Sequence, residues 1–163
     1  MAKFQLSPNF EEYEKMLSRL QSERTEIAKA AVFEGTQIMA DAIREEIESI
    51  PEVKNNQHGS PDSLLYGITK EQKQGLLEGL GVAKMWSDFG KISTQIGIVG
   101  YNSLKTKKYP KGQPNAMIAR SIISGTSFRK KYDFVSKAIK KASSKAEEKM
   151  AEVIEQKIDE ITE

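Results

Sequence analysis

The chain has 163 residues, with 25 lysines and arginines against 23 aspartates and glutamates, no cysteine, one histidine and one tryptophan. These counts predict a soluble intracellular domain, and they exclude disulfides, cysteine-ligated zinc or iron–sulfur clusters and thiol nucleophiles. The single His58 excludes any site that needs two imidazoles, and no apolar stretch approaches the ~20 residues of a membrane span.

A short strand and a helix are predicted at the N-terminus. Alternation of apolar and polar side chains predicts the strand over Ala2–Leu6. Pro8 suits a first helical turn, and the apolar residues that follow it at helical spacing predict a helix over residues 8–21.

A second, longer helix is predicted over residues 22–50. Its apolar side chains recur on one face, and Pro51 ends it. Gly35 costs about 1 kcal/mol relative to alanine inside a helix, so its presence indicates either close packing or a bend.

In the middle of the chain the sequence pattern predicts a long loop followed by a β-hairpin. Residues 51–70 are rich in Pro, Gly, Asn and Ser and are predicted to be a mobile loop. From residue 79 to residue 101 the period changes to two, which predicts two antiparallel strands joined by residues 87–90. The aromatic side chains here could stack on nucleic-acid bases, but their alternation with aliphatic residues favours the core. They are Trp86, Phe89 and Tyr101.

Helices are predicted for most of the C-terminal part. Residues 102–114 are predicted to be a second mobile loop, and helical spacing returns over residues 115–123. After a Gly-Thr corner the spacing resumes at Phe128 and continues into a helical extension over residues 142–163, with a break near Ser143-Ser144 left open.

Together these elements predict an α+β fold in a single domain, residues 1–163. A small antiparallel sheet built on the β-hairpin is expected to pack against a long α-helix, with additional C-terminal helices. One modest core suits a chain of this length.

The near-neutral total hides an uneven distribution of charge. Residues 1–50 hold 6 basic and 10 acidic side chains, residues 103–141 hold 11 and 1, and residues 142–163 hold 3 and 7. The basic segment is predicted to attract phosphates or an acidic protein face, although a solvated lysine-rich surface or a head-to-tail contact with the acidic ends of another copy fits the same pattern. Its candidate interaction residues are Lys105, Lys107, Lys108, Lys111, Arg129, Lys130 and Lys131.

No motif predicts an enzyme, a cofactor site or a metal site. Asp88-Phe89-Gly90 copies a kinase metal-binding triplet but suits a hairpin turn, and Gly79-Leu80-Gly81 lacks the third glycine of a dinucleotide fingerprint. His58 has no identifiable partner that would orient it for catalysis. For an unrecognised catalytic site, the acids to test are Glu34, Asp41 and Asp88.

The order of elements and two C-terminal motifs resemble those of a known family. The helix Ile27 to Ile50 is similar to the family's alanine-rich helix before a variable loop. Ala119-Arg120-Ser121-Ile122-Ile123-Ser124-Gly125-Thr126-Ser127 resembles the family's Gly-Thr corner, and Tyr132-Asp133-Phe134-Val135-Ser136-Lys137-Ala138-Ile139 resembles the start of its last helix. On these motifs the chain resembles the neck or minor tail-component proteins, the head–tail joining proteins of long-tailed bacteriophages and prophages.

This resemblance implies a structural virion protein of the head–tail junction that performs no chemistry. Its implied partners are further copies of itself in a ring and the neighbouring head-completion and tail proteins, with weak nonspecific DNA contact along residues 103–141 and no membrane. The implied location is the virion, and the host cytoplasm during assembly. The alternative from another class is a small nucleic-acid-binding accessory protein that uses the same basic segment.

Overall fold

The computed structural model describes residues 8–54 and 59–162. Its elements are α1 (Pro8–Glu48), α2 (Lys70–Gly79), β1 (Leu80–Val82), β2 (Trp86–Asp88), β3 (Lys91–Ser93), β4 (Ile96–Ile98), α3 (Asn115–Ser124) and α4 (Phe134–Thr162). The predicted α+β class is confirmed, with a small antiparallel hairpin, a long N-terminal helix and C-terminal helices. The predicted strand at Ala2–Leu6 and His58 lie outside the described residues.

One continuous helix, α1, replaces the two helices predicted before and after residue 22. Ser22 Oγ donates a hydrogen bond to Arg19 O, so this serine lies inside the helix instead of capping a new one. No proline or glycine occurs between residues 9 and 34, so no residue there interrupts helical hydrogen bonding.

α1 and α4 pack along each other in opposite directions. Lys141, near the start of α4, places its Nζ 2.6 Å from Glu45 Oε2, near the end of α1. At the other end of the pair, Ile161 and Tyr13 line one surface pocket. The pair therefore extends the molecule well beyond its core.

Close packing against α4 explains the glycine inside α1. A Cβ added to Gly35 would lie 2.6 Å from Met150 Sδ, so a larger side chain would have to displace the methionine. α4 is also unbroken at Ser143-Ser144. The two helices form one uninterrupted contact along this length.

α4 begins at Phe134, later than the predicted Phe128. The residues between them form no helix or strand, and Leu65 N donates to Phe128 O at 2.9 Å. Asp133 then caps the helix, because its Oδ1 accepts a hydrogen bond from Ser136 N at 3.1 Å. Pairing with the residue 65 segment therefore delays the helix.

α2 was missed by the sequence analysis, although its start carries a readable signal. Thr69 Oγ1 accepts a hydrogen bond from Gln72 N, and Gln72 Oε1 accepts one from Thr69 N. This reciprocal pair is a capping box, which marks helix N-termini in sequence as a Thr three residues before a Gln.

The predicted hairpin is confirmed, with a shorter connection than expected. β1 pairs antiparallel with β4, and β2 pairs antiparallel with β3. Because Asp88 lies opposite Lys91, Phe89 and Gly90 alone join the two strands.

The segments on either side of α2 and the hairpin are irregular. In the described residues between Pro51 and Thr69, and from 102 to 114, the chain forms isolated bridges and turns instead of regular elements. Backbone hydrogen bonds tie both segments, including one from Val53 N to Ile68 O and one from Asn102 N to Gln113 O.

The core lies where α1, α2, α3 and the start of α4 meet the base of the hairpin. Its most deeply buried side chains are Ile47, Ile50, Ile68, Leu76, Ile122 and Phe134. Leu80, Ile96 and Ile98 pack against this cluster from β1 and β4, whereas every residue of β2 is exposed. The hairpin is therefore anchored at its base and contacts α1 through β3, while β2 and the turn are solvated.

Candidate protein interface

Most of the candidate basic residues are available to solvent. The exposed ones are Lys105, Lys107, Lys108, Lys111, Lys130 and Lys131. Arg129 differs, because it is only 6% exposed and its Nη1 donates to Gly67 O at 2.7 Å. Burial lowers the pKa of Arg129. Its guanidinium holds the segment at Gly67 and is turned away from any partner.

Tyrosine rings support two of the exposed lysines. Lys108 Nζ lies 5.6 Å from the ring centroid of Tyr109, and Lys130 Nζ lies 5.2 Å from that of Tyr66. Contacts of this kind are weakly favourable at a surface and leave the cation accessible.

The aromatic residues predicted to fill the core are exposed instead. Trp86 is 43% exposed, Tyr101 is 65% exposed and Phe89 is fully exposed. The prediction was wrong because strand alternation implies burial only where another element covers the side chain; α1 contacts β3, whereas β2, the turn and Tyr101 are left exposed. The hairpin therefore presents apolar groups to solvent.

Phe89 also occupies an unfavourable backbone conformation. Its φ is 46° and that of Gly90 is 78°, the two positive values that a type I′ hairpin turn requires. Among the described residues it is the one non-glycine with positive φ. Asn or Gly would suit the position better, and such strain occurs most often at functional positions.

Asn115 holds the base of the hairpin in place. Its Nδ2 donates to Gly75 O in α2 at 2.7 Å and to Val99 O, just after β4, at 2.9 Å. A Cβ on Gly79 would clash with Val99 O, so α2 approaches the hairpin as closely as backbone atoms allow. These contacts set the direction in which the tip extends.

One face of the hairpin base is bare. Gly81 and Gly97 lie opposite each other, and a Cβ added to either would meet no atom within 4 Å. Val99, two residues after Gly97, is 70% exposed, whereas Val82, 41% exposed, belongs to the opposite face of the strand pair. This apolar surface has room for a neighbouring molecule.

An apolar groove of about 440 Å³ lies beside the base of the hairpin. Its aliphatic and aromatic lining comes from α1, β1, β4, α3 and the start of α4, and includes Ile43, Leu80, Ile96, Ile123, Phe134 and Val135. Exposed Arg120 also lines it, and forms no ion pair within the described part of the chain.

The three acids named for an unrecognised catalytic site lie on separate parts of the fold. Glu34 and Asp41 are two turns apart on α1, about 10 Å along its axis, and Asp88 ends β2. Over residues 8–54 and 59–162, no group of three or more acidic or histidine side chains is arranged to hold a metal ion.

No protein-family model, curated protein or solved structure gives a significant match to the chain. None of the helices within the described residues has the length and apolar character needed to cross a bilayer.

Proposed function

We propose that this chain is a structural protein of the head–tail junction of a tailed phage or prophage, which acts by assembly without catalysis. The observation that carries the proposal is the anchored hairpin with a fully exposed, strained Phe89 at its tip. An apolar side chain held in water in this way destabilises the free chain, and its burial against a bound protein is favourable.

Two further surfaces support an assembly role. The bare face at Gly81 and Gly97 is open to solvent, and so is the apolar groove lined by Leu80, Ile96 and Ile98 from the opposite face of the same strands. Exposed apolar surfaces of this kind mark protein interaction sites. The phage setting comes from the resemblance of the Ala119–Ser127 corner and the Tyr132–Ile139 helix start to those of neck proteins.

The test is deletion of the gene from an inducible prophage that carries it. We expect electron micrographs of the lysate to show DNA-filled heads and separate tails, and expect the wild-type gene in trans to restore joined particles. Mass spectrometry should detect the chain in purified wild-type virions. Joined, infectious particles from the deletion strain would rule out this function.

The exposed lysines favour a second candidate function, nonspecific DNA binding. Lys105, Lys107, Lys108 and Lys111 lie on one irregular segment and form no ion pairs within the described residues. Such clusters bind phosphates through release of counterions.

Fluorescence anisotropy with duplex DNA distinguishes the two functions. A DNA-binding protein should lose affinity steeply between about 50 mM and about 200 mM salt, and replacement of those four lysines by alanine should reduce the salt dependence. The matched control replaces Lys145, Lys149 and Lys157 in the acidic C-terminal segment. Absence of salt-dependent binding in the wild-type chain would leave assembly as the function.

A further inference from the structure

We propose that the hairpin tip of one copy binds the apolar groove of a second copy, with Phe89 as the inserted side chain. This inference rests on the proposed assembly function and names its self-contact. Three observations support it: the exposure and backbone conformation of Phe89, the groove that would receive the ring, and the charged side chains that would meet where the two surfaces join.

The inserted residue is defined by its exposure and its backbone. Phe89 is fully exposed, its φ is 46°, and the tight turn points it away from both strands. Single exposed aromatics of this type act as anchors when they enter a pocket on a partner.

The receiving surface is the groove at the hairpin base. Its volume of about 440 Å³ is in the range of well-formed binding pockets and accommodates a phenyl ring with neighbouring atoms. Ile43, Ile123 and Val135 provide apolar contacts from three different helices.

The tip cannot fill the groove of its own molecule. Ile96 lines the groove, and Phe89 lies seven residues away beyond β3 and the two residues that separate β3 from β4. Seven residues of nearly extended chain span roughly 20 Å. Asn115 fixes the hairpin base, so the strand cannot fold back. The ring must come from another molecule.

Charge complementarity favours a second copy of this chain as that molecule. At the tip Asp88 precedes Phe89 and lies opposite Lys91, and exposed Arg120 lines the groove. Within the described residues Asp88 forms no ion pair with Lys91 or any other cation, and Arg120 forms none either, so both charges are available to a partner. When Phe89 enters the groove, these opposite charges lie at the same junction.

The contact joins two different surfaces, the tip of one copy and the groove of another. Two copies can exchange tips reciprocally about a two-fold axis, or the contact can repeat from copy to copy and close into a ring or continue as a filament.

Sedimentation velocity over low-micromolar to near-millimolar concentrations tests the contact. The wild-type chain should form concentration-dependent oligomers, and Phe89→Asn should weaken association about 30-fold or more while the chain stays folded. Tyr101→Ser is the matched control, because it removes an exposed aromatic away from the tip and should leave association unchanged.

Mixing two variants tests the polarity of the contact. Ala116→Phe fills the groove from an exposed position on α3, so it should block the receiving surface while leaving the tip intact. At a concentration where the wild type associates, Phe89→Asn and Ala116→Phe should each be monomeric alone, yet form a one-to-one complex when mixed. Likewise Asp88→Arg and Arg120→Asp should each weaken association, and the doubly exchanged chain should recover it.

A wild-type chain that stays monomeric throughout, or Phe89→Asn chains that associate like the wild type, would overturn the inference. Phe89→Asn chains that self-associate normally but fail to restore joined particles would show that the tip contacts a different protein. That result would also overturn the inference. The proposed function is judged separately, by the particles that form when the gene is deleted.

Discussion

Phe89 combines full exposure with a positive φ, and the two properties act on different equilibria. The exposed ring affects binding, whereas the backbone conformation affects folding of the single chain. Removal of the strain should therefore stabilise the monomer even though it removes a contact residue.

We expect Phe89→Asn to raise the free energy of unfolding by about 1 kcal/mol, because asparagine tolerates the left-handed region that other side chains avoid. Urea denaturation at dilute concentration measures this. Phe89→Ala is the control, since alanine keeps the Cβ that opposes a φ of 46°. Equal stability of the two variants would contradict the strain assigned to this turn.

Asp133 is a second residue with a local role. The hydrogen bond from Ser136 N, together with one from Ser136 Oγ and the charge of Lys131, lowers the pKa of Asp133. A lowered pKa in the folded chain means that the carboxylate contributes stability above its unfolded pKa and loses it as the pH falls through the folded value.

Asp133→Ala should lower the free energy of unfolding by about 1 kcal/mol at neutral pH, as loss of an N-cap does. The difference from wild type should shrink as the pH falls below about 4. Asp133→Asn can still cap the helix without titrating, so it serves as the control. A difference that is constant with pH would show that the carboxylate charge does not contribute.

At one point in the long contact between α1 and α4, a small residue faces a flexible one. Gly35 lies where a Cβ would meet Met150 Cγ and Sδ, so the glycine's low helix propensity is offset by close approach of the helices. The two positions should therefore be energetically coupled.

A double-mutant cycle measures the coupling. Gly35→Ala combined with Met150→Ala should be more stable than the sum of the single effects by about 1 kcal/mol, since the smaller side chain makes room for the new Cβ. Gly35→Ala combined with Met117→Ala, on α3, is the control and should be additive. Additivity in both pairs would mean that Met150 moves aside without cost.

The start of α1 and the end of α4 lie outside the core cluster, which both helices enter at their other ends. Leu17 is 60% exposed near the start of α1, and Val153 is the one buried position in the second half of α4. Because isolated helices of this composition are marginal in water, each end of the pair depends on the other.

Deletion of residues 147–163 should therefore remove more helix than it deletes. We expect far-ultraviolet circular dichroism to lose the signal of the deleted residues and of the N-terminal turns of α1 that packed against them. Near-ultraviolet signals from the core should persist. The control is one variant that carries both Ile154→Gln and Ile158→Gln, at partly exposed positions, and it should keep its full helical signal.

Local periodicity was enough to predict α3, the hairpin and the α+β class, because helix and strand spacing are properties of neighbouring residues. The same information could not decide whether Ser22 ends a helix. The hydroxyl can cap a new helix or bond to the preceding turn, and in α1 it bonds to Arg19 O. The Thr69–Gln72 capping box was readable but was overlooked.

Burial was decided by tertiary structure, since it depends on which elements cover a side chain. Arg129 is inside because the backbone at Gly67 accepts its hydrogen bond from 62 residues away in sequence. Trp86 and Phe89 are outside because the hairpin contacts α1 through β3, which leaves β2 and the turn exposed. Periodicity reports that a strand has two faces, and packing of distant segments determines which face, if either, meets the core.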